Sequence, residues 1–304
     1  MLIDKKRKKM NTKTLLLGGH LPRFNGLEYD ITRGEKLGFS VIQIYIRNDQ
    51  SYVKHEIHDE AINSFKKALE QSTIKYVIAL DPFMKQLGLP ELKRPEIMNE
   101  LITDELSLCD ALDIPYLIIH PGTCSLRMGT LECITDISEN INDILSKASG
   151  NSMILLQNMA SGGKSISYTF EHLAQLYRDC TAKNRLGMCF DMCAAFASGY
   201  SFGTADEYEA MWQEFDRVIG LPLLKAIHIN DSTEEQGSGI VSHAYIGKGR
   251  IPFEAYKLIM NDKRFVDIPK IMEVPIQNTD EYKHTMDLLI NMLTPSNKEL
   301  YGIK

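Results

Sequence analysis

Asp191, His228 and Glu273 stand at or just past the ends of three successive apolar runs in the second half of the chain. Two carboxylates and an imidazole make a mixed oxygen and nitrogen donor set, which suits zinc or manganese better than calcium. Gln157 ends an earlier run and adds an uncharged amide oxygen directed at the same centre. His120 and His243 are placed to serve a second metal position or to hydrogen-bond the ligands of the first. A single core histidine is ordinarily a hydrogen-bonded structural residue, whereas this triple calls for a cation. The Cys189 and Cys193 spacing has no second pair to complete a zinc site. With Cys109, Cys124, Cys133 and Cys180 these two are expected to be reduced thiols, mostly in the core.

For such residues to meet, the runs that carry them must end on one face. Eight short apolar or β-branched runs read as strands, over 14–19, 41–46, 75–80, 115–120, 152–157, 187–191, 225–230 and 270–274. His20, Asn48, Asp81, His120, Gln157, Asp191, His228 and Glu273 stand at or just beyond their ends. Between the runs, apolar residues recur three or four apart, as in Ala61-Phe65-Ala68-Leu69, Leu101-Leu108-Ala111-Leu112 and Ile137-Ile141-Ile144-Leu145. That is the period of helices lying on a sheet. Similar stretches occupy 170–177, 208–219, 253–260 and 282–293. Alternation from end to end, without a linker, predicts a single (β/α)8 TIM barrel over 13–304, with an open doubly wound sheet as the competing topology. In a barrel the polar strand ends converge on the face where catalytic groups collect.

The composition fits this reading. The chain has 304 residues, 44% apolar and 24% charged, enough for a large core. Its net charge of −6 gives no overall positive field to attract nucleic acid. Lys5, Lys6, Arg7, Lys8 and Lys9, with Asp4, give the first nine residues +4 and leave −10 on the rest. Residues 1–12 are therefore expected to be a solvated basic tail, or else a nuclear-import or nucleic-acid tether. No apolar run reaches the roughly 18 residues that span a bilayer, and no secretory leader opens the chain. The expectation is an intracellular protein, cytoplasmic or nuclear, with no membrane partner.

The local sequences resemble one family. Gly18-Gly19-His20, Leu117-Ile118-Ile119-His120-Pro121-Gly122, Leu156-Gln157-Asn158, the stretch from Gly187 to Tyr200, His228-Ile229-Asn230-Asp231, Ile246-Gly247-Lys248-Gly249 and Glu273 follow one another in the order found in endonuclease IV. That family uses three zinc ions to incise DNA 5′ to abasic sites in base-excision repair. The likeness covers nearly the whole chain, and the stretch from Gly187 to Tyr200 is its most specific part. It implies a metal-dependent phosphodiesterase whose partner is double-stranded DNA with abasic sites, and it puts Glu273 and Gln157 at catalytic positions.

In the family three metals share nine protein ligands. By the resemblance, His120, Asp191, His228, His243 and Glu273 match ligand positions in type. Leu80 and Ala194 fall where histidines are expected, Val241 where an aspartate is, and Gln157 where a glutamate bridges two metals. A neutral amide cannot support two cations a few ångströms apart, and leucine, alanine and valine cannot ligate. The implied site holds at most one ion, zinc or manganese, on Asp191, His228 and Glu273 with Gln157, and its activity is weak or lost. His20, Asp81 and Cys124 are near enough in the expected barrel to replace missing ligands. The positions of the family's DNA-inserting arginine and tyrosine are Gln50 and Phe83, and Lys248 joins them as a candidate DNA contact.

Two other readings stay open. One is a non-catalytic barrel of the same descent that binds DNA or a protein partner. The other is a single-metal sugar isomerase or epimerase, which Gln157 disfavours because it removes a carboxylate needed for proton transfer.

Overall fold

The computed structural model describes residues 12–22, 26–47, 57–82, 87–88, 95–125, 127–275 and 279–303. The basic segment read as a tail therefore lies, apart from Thr12, outside the described residues.

The barrel strands are β1 (Leu17–Leu21), β2 (Val41–Ile44), β3 (Tyr76–Leu80), β4 (Tyr116–Ile119), β5 (Met153–Gln157), β6 (Leu186–Asp191) and β7 (Leu224–Ile229), then, after a short antiparallel pair β8 (Asp231–Ser232) and β9 (His243–Ala244), β10 (Lys270–Met272). Neighbouring barrel strands pair in parallel, and β1 joins both β2 and β10, so the eight-stranded sheet closes. The helices are α1 (Leu27–Lys36), α2 (Asp59–Glu70), α3 (Pro95–Ala111), α4 (Thr130–Lys147), α5 (Phe170–Asp179), α6 (Met192–Ala197), α7 (Ala205–Val218), α8 (Phe253–Asn261), α9 (Thr279–Asn291) and α10 (Pro295–Tyr301). The expected (β/α)8 TIM barrel is the observed fold.

All eight expected runs are strands, with shifted ends. The first begins later, at Leu17, and runs through Gly18 and Gly19 to His20 and Leu21, two residues past its expected end. Gly18 fits there because a Cβ would lie 1.6 Å from the Val41 carbonyl oxygen, so only bare backbone allows β1 this close to β2. The last run stops at Met272, which leaves Glu273 as the first residue past β10.

Alternate strand residues face opposite ways. Inside the barrel, Leu16, Val41, Ile78, Leu80, Ile118, Leu155, Cys189, Ala226 and Ile271 form a separate apolar cluster. The other face packs on the helices, where fully buried Trp212 of α7 lies 4.8 Å from the Phe190 ring, 5.3 Å from Phe215 and 4.5 Å from Phe265. α7 is fixed at its start by a capping box, Thr204 accepting from the Glu207 amide while the Glu207 carboxylate accepts from the Thr204 amide.

The expectation of six reduced thiols needs correction. Cys124, in the loop after β4, and Cys133, in α4, form a disulfide with Cα atoms 5.6 Å apart. The barrel brings the loop back onto its own following helix, a proximity that cysteine density does not reveal. Cys109, Cys180, Cys189 and Cys193 are free and buried. Among the described residues no helix is long and apolar enough to cross a membrane.

Candidate metal centre

The site is organised around the point where β6 becomes α6. Asp191 ends the strand, and its Oδ1 accepts the Ala194 amide at 2.7 Å, capping the helix. Asn158 holds the same residue by its backbone, accepting from the Asp191 amide at 2.6 Å and donating to its carbonyl at 3.0 Å. With one carboxylate oxygen committed, Oδ2 is left to face the barrel mouth. There it accepts from Asn230 Nδ2 at 2.7 Å and Gln157 Nε2 at 3.4 Å and lies 3.3 Å from His228 Nδ1.

His228 is in register with Asp191 on one side and Ile271 on the other, and it is fully buried. Its Nδ1 also lies 3.4 Å from Glu273 Oε2. His243 enters from β9, its Nε2 3.3 Å from Asn230 Nδ2. Asp191, His243 and Glu273 each offer a ligand atom, and the three atoms lie within 4.8 Å of one another. The structure thus brings His243 into the same cluster as the late-strand ligands, where the sequence leaves it at a second position.

The electrostatics follow from the crowding. Burial raises the Asp191 carboxyl, but the His228 hydrogen bond and charge, with His243, outweigh it and leave its pKa lowered. Glu273 behaves the same way, with burial overcome chiefly by His228. Burial works against the charged form of His228, yet Cys189, Glu273 and Asp191 together hold its pKa well above the ordinary imidazole value. Two ionised carboxylates facing one another need a positive charge between them. His120, by contrast, has its pKa lowered by burial, so its ring is kept neutral.

Two buried polar atoms at the mouth, His120 Nδ1 and Gln157 Oε1, have no hydrogen-bond partner among the described residues. Each orphaned group costs about 1–3 kcal/mol unless something satisfies it. A neutral imidazole nitrogen, an amide oxygen and ionised carboxylates are the atoms a divalent transition ion accepts, so the residues fit such an ion.

Three residues that sequence reasoning passed over are part of the arrangement. Gln43 of β2 reaches His228 and Glu273 across the mouth, and Asn158 and Asn230 orient Asp191. For Asn158 and Asn230 the one signal was an amide at or beside the end of an apolar run; Gln43 sits inside its run and gave none. Asp81 is buried and electrostatically coupled to His120. Cys124 is in the disulfide, so it is not a replacement ligand. Leu80 belongs to the interior apolar cluster, Ala194 is buried in α6, and Val241 is 44% exposed.

Lys248 is exposed on a turn that Asp231 organises by accepting from the amides of Gly247, Gly249 and Ile251 at 2.9, 2.9 and 3.0 Å. It borders a cavity of about 510 Å³ whose walls include Phe253, Glu281 and His284. Asn48, Gln50 and Phe83 lie outside the described residues.

Comparison with known proteins agrees with this architecture. Residues 31–292 match the family described as xylose isomerase-like TIM barrel. The protein named probable endonuclease 4 of Chloroflexus aurantiacus is 35% identical over 259 residues, which is 85% of this chain and 90% of that protein. The crystal structure of endonuclease IV from Thermus thermophilus superposes with a TM-score of 0.81 at 24% identity, covering 91% of this chain and 98% of that one. D-psicose 3-epimerase from Clostridium cellulolyticum H10 shares the fold more distantly, with a TM-score of 0.65 at 14% identity over 91% of this chain and 98% of that one. The match along most of the chain, to both family and named relatives, makes this protein a member of the endonuclease IV family within the xylose isomerase-like TIM barrels.

Proposed function

We propose that the protein is a single-metal member of its family that engages abasic sites in double-stranded DNA and incises 5′ to them weakly or not at all. The observation that carries this reading is the convergence of Asp191, His243 and Glu273, with His228 beside them, on one side of the mouth. The other positions implied for metals hold Leu80, Ala194 and Val241, which have no donor atom, and Gln157, which has no charge.

Asp191, Glu273, His243 and His228 would hold one zinc or manganese ion, with Gln157 Oε1 and His120 Nδ1 as the nearby unsatisfied donors. When bound, such an ion supplies Lewis-acid polarisation of a phosphoryl oxygen. The chain's own contribution is to keep Asp191 and Glu273 ionised and to fix Asp191 by the α6 cap. Gln157 can orient a neighbouring group by hydrogen bonding but cannot accept a proton as a glutamate would. Lys248, Phe83 and Gln50 are the proposed DNA contacts. With only one of the three a positive charge, the phosphate-tracking component of binding should be small.

The test is incubation of the purified chain with an abasic-site duplex, with and without chelator. Slow chelator-sensitive incision supports the proposal, as does chelator-sensitive retention of the duplex without incision. Fast incision comparable to a three-metal enzyme contradicts it, and so does failure to distinguish abasic from intact duplex.

A further inference from the structure

Gln43 lies on β2, in register with His20 of β1 and Ile78 of β3, and its side chain is fully buried. Nothing about Val41-Ile42-Gln43-Ile44 as a strand requires an amide there, and a buried amide without partners would be costly. The carboxamide finds three partners. Its Oε1 is 2.7 Å from His228 Nε2, and its Nε2 is 3.1 Å from Glu273 Oε1 and 3.2 Å from His20 Nδ1.

These distances admit one orientation of the amide. Turned over, its oxygen would face the Glu273 carboxylate and its NH2 would face His228 Nε2, giving an oxygen-oxygen repulsion in place of a bond. In the satisfied orientation Gln43 donates to Glu273 and to His20 Nδ1 and accepts from His228 Nε2–H. The proton on His228 Nε2 is thereby specified, and Nδ1 is the nitrogen that faces Asp191 Oδ2 and Glu273 Oε2. From this geometry we infer that Gln43 is a positioning residue of the metal centre, selecting Nδ1 of His228 as the ligand atom and holding Glu273 in the rotamer that meets it. A hydrogen bond to the non-ligating nitrogen is the means by which a histidine's tautomer and ring angle are set at metal sites. The inference rests on the single-ion reading above, and it adds a residue that orients two of that ion's ligands from β2, two barrel strands from β10 and three from β7.

Two variants of the full-length chain test it. Gln43→Met removes both hydrogen-bonding functions at similar volume, and Gln43→Glu keeps an acceptor for His228 but loses the donor to Glu273. Zinc affinity is measured by chelator competition, and the His228 Nε2–H proton is followed by ¹⁵N-edited NMR in metal-free and zinc-loaded protein. In the wild type the Nε2–H resonance should be protected from exchange, and zinc should shift Nδ1. Gln43→Met should lose that protection and bind zinc about 10- to 100-fold more weakly, the range expected for an outer hydrogen-bond partner. Gln43→Glu should keep the protected proton while also binding more weakly, an effect a purely structural amide would not produce. A folded Gln43→Met with a protected Nε2–H and unchanged zinc affinity overturns the inference. If that variant does not fold, loss of the proton in Gln43→Glu overturns it instead. A wild type that binds no zinc would refute the single-ion reading, whereas the metal-free NMR spectra would still decide whether Gln43 sets the histidine.

Discussion

At the N-terminal end of the barrel, fully buried Lys270 gives its ammonium to the carbonyls of Phe265 (2.5 Å) and Ile268 (3.1 Å), while Arg185 gives its guanidinium to those of Ala148 (2.6 Å) and Ser152 (2.9 Å). At the C-terminal mouth, Asp191, Glu273, His228 and His243 turn their polar atoms toward one another. Both ends bury charge, but the first gives each cation backbone carbonyls to donate to, with Asp110 Oδ2 a further 3.8 Å from Arg185. The second gathers acceptors around a common point and leaves His120 Nδ1 and Gln157 Oε1 with no partner among the described residues. Charge that is satisfied by the fold belongs to stability. Polar atoms gathered around a common point and left unsatisfied there are what a bound ion would satisfy.

The difference can be broken from either end. The largest effect is expected at the mouth, where Asp191→Ala removes a ligand and the α6 cap together; zinc binding should fall by at least about 100-fold, read by chelator competition. The lost cap alone should cost about 1 kcal/mol in denaturant unfolding. Arg185→Ala is the counterpart at the base. It orphans buried carbonyls and should cost on the order of 3 kcal/mol of stability while leaving the zinc count unchanged. A changed zinc count in that variant would erase the distinction between the two ends.

Lys270 gives a smaller, pH-dependent signal. Burial lowers its pKa from 10.5 to about 8, so the folded state carries the cost of a charged lysine at neutral pH. Below about 8 both states are protonated and the whole cost is present. Between about 8 and 10.5 the folded chain releases the proton while the unfolded chain keeps it, so stability rises with pH. Relative to Lys270→Met, the wild type should gain up to about 3 kcal/mol across that window, measured by urea unfolding at fixed pH values. Parallel curves would show that the ammonium is not buried as described. The smallest effect is expected from Gln157→Glu, which should change abasic-site incision by less than about threefold, because a bridging carboxylate without donors at Leu80, Ala194 and Val241 has no second cation to bridge. A large recovery of incision would show that the rest of the site is competent.

Much of this was legible because barrel strands are continuous apolar runs and their ends are where polarity returns. Asp191, His228 and Glu273 could be picked out as breaks in that pattern, and their convergence followed from closure of the sheet. Gln43 was not legible in the same way. It sits inside a run between Ile42 and Ile44, and only the register of β2 with β1 shows that it faces the mouth beside His20. Asn158 and Asn230 follow Gln157 and Ile229 directly and read as ordinary strand-ending polar residues, although both support Asp191. The Cys124–Cys133 pairing depends on how a loop folds back on its own helix, and nothing in the spacing of six cysteines selects it. His243 was visible as a donor, but whether it joins the cluster depends on the β8–β9 pairing that carries it inward.

One metal ion is proposed at the mouth of this barrel, where the family's full ligand set holds three. Elemental analysis of the purified chain after zinc loading and exhaustive dialysis tests it directly. One zinc per chain is expected, lost in Asp191→Ala and retained in Arg185→Ala. Two or three zinc ions per chain, or none, would contradict it.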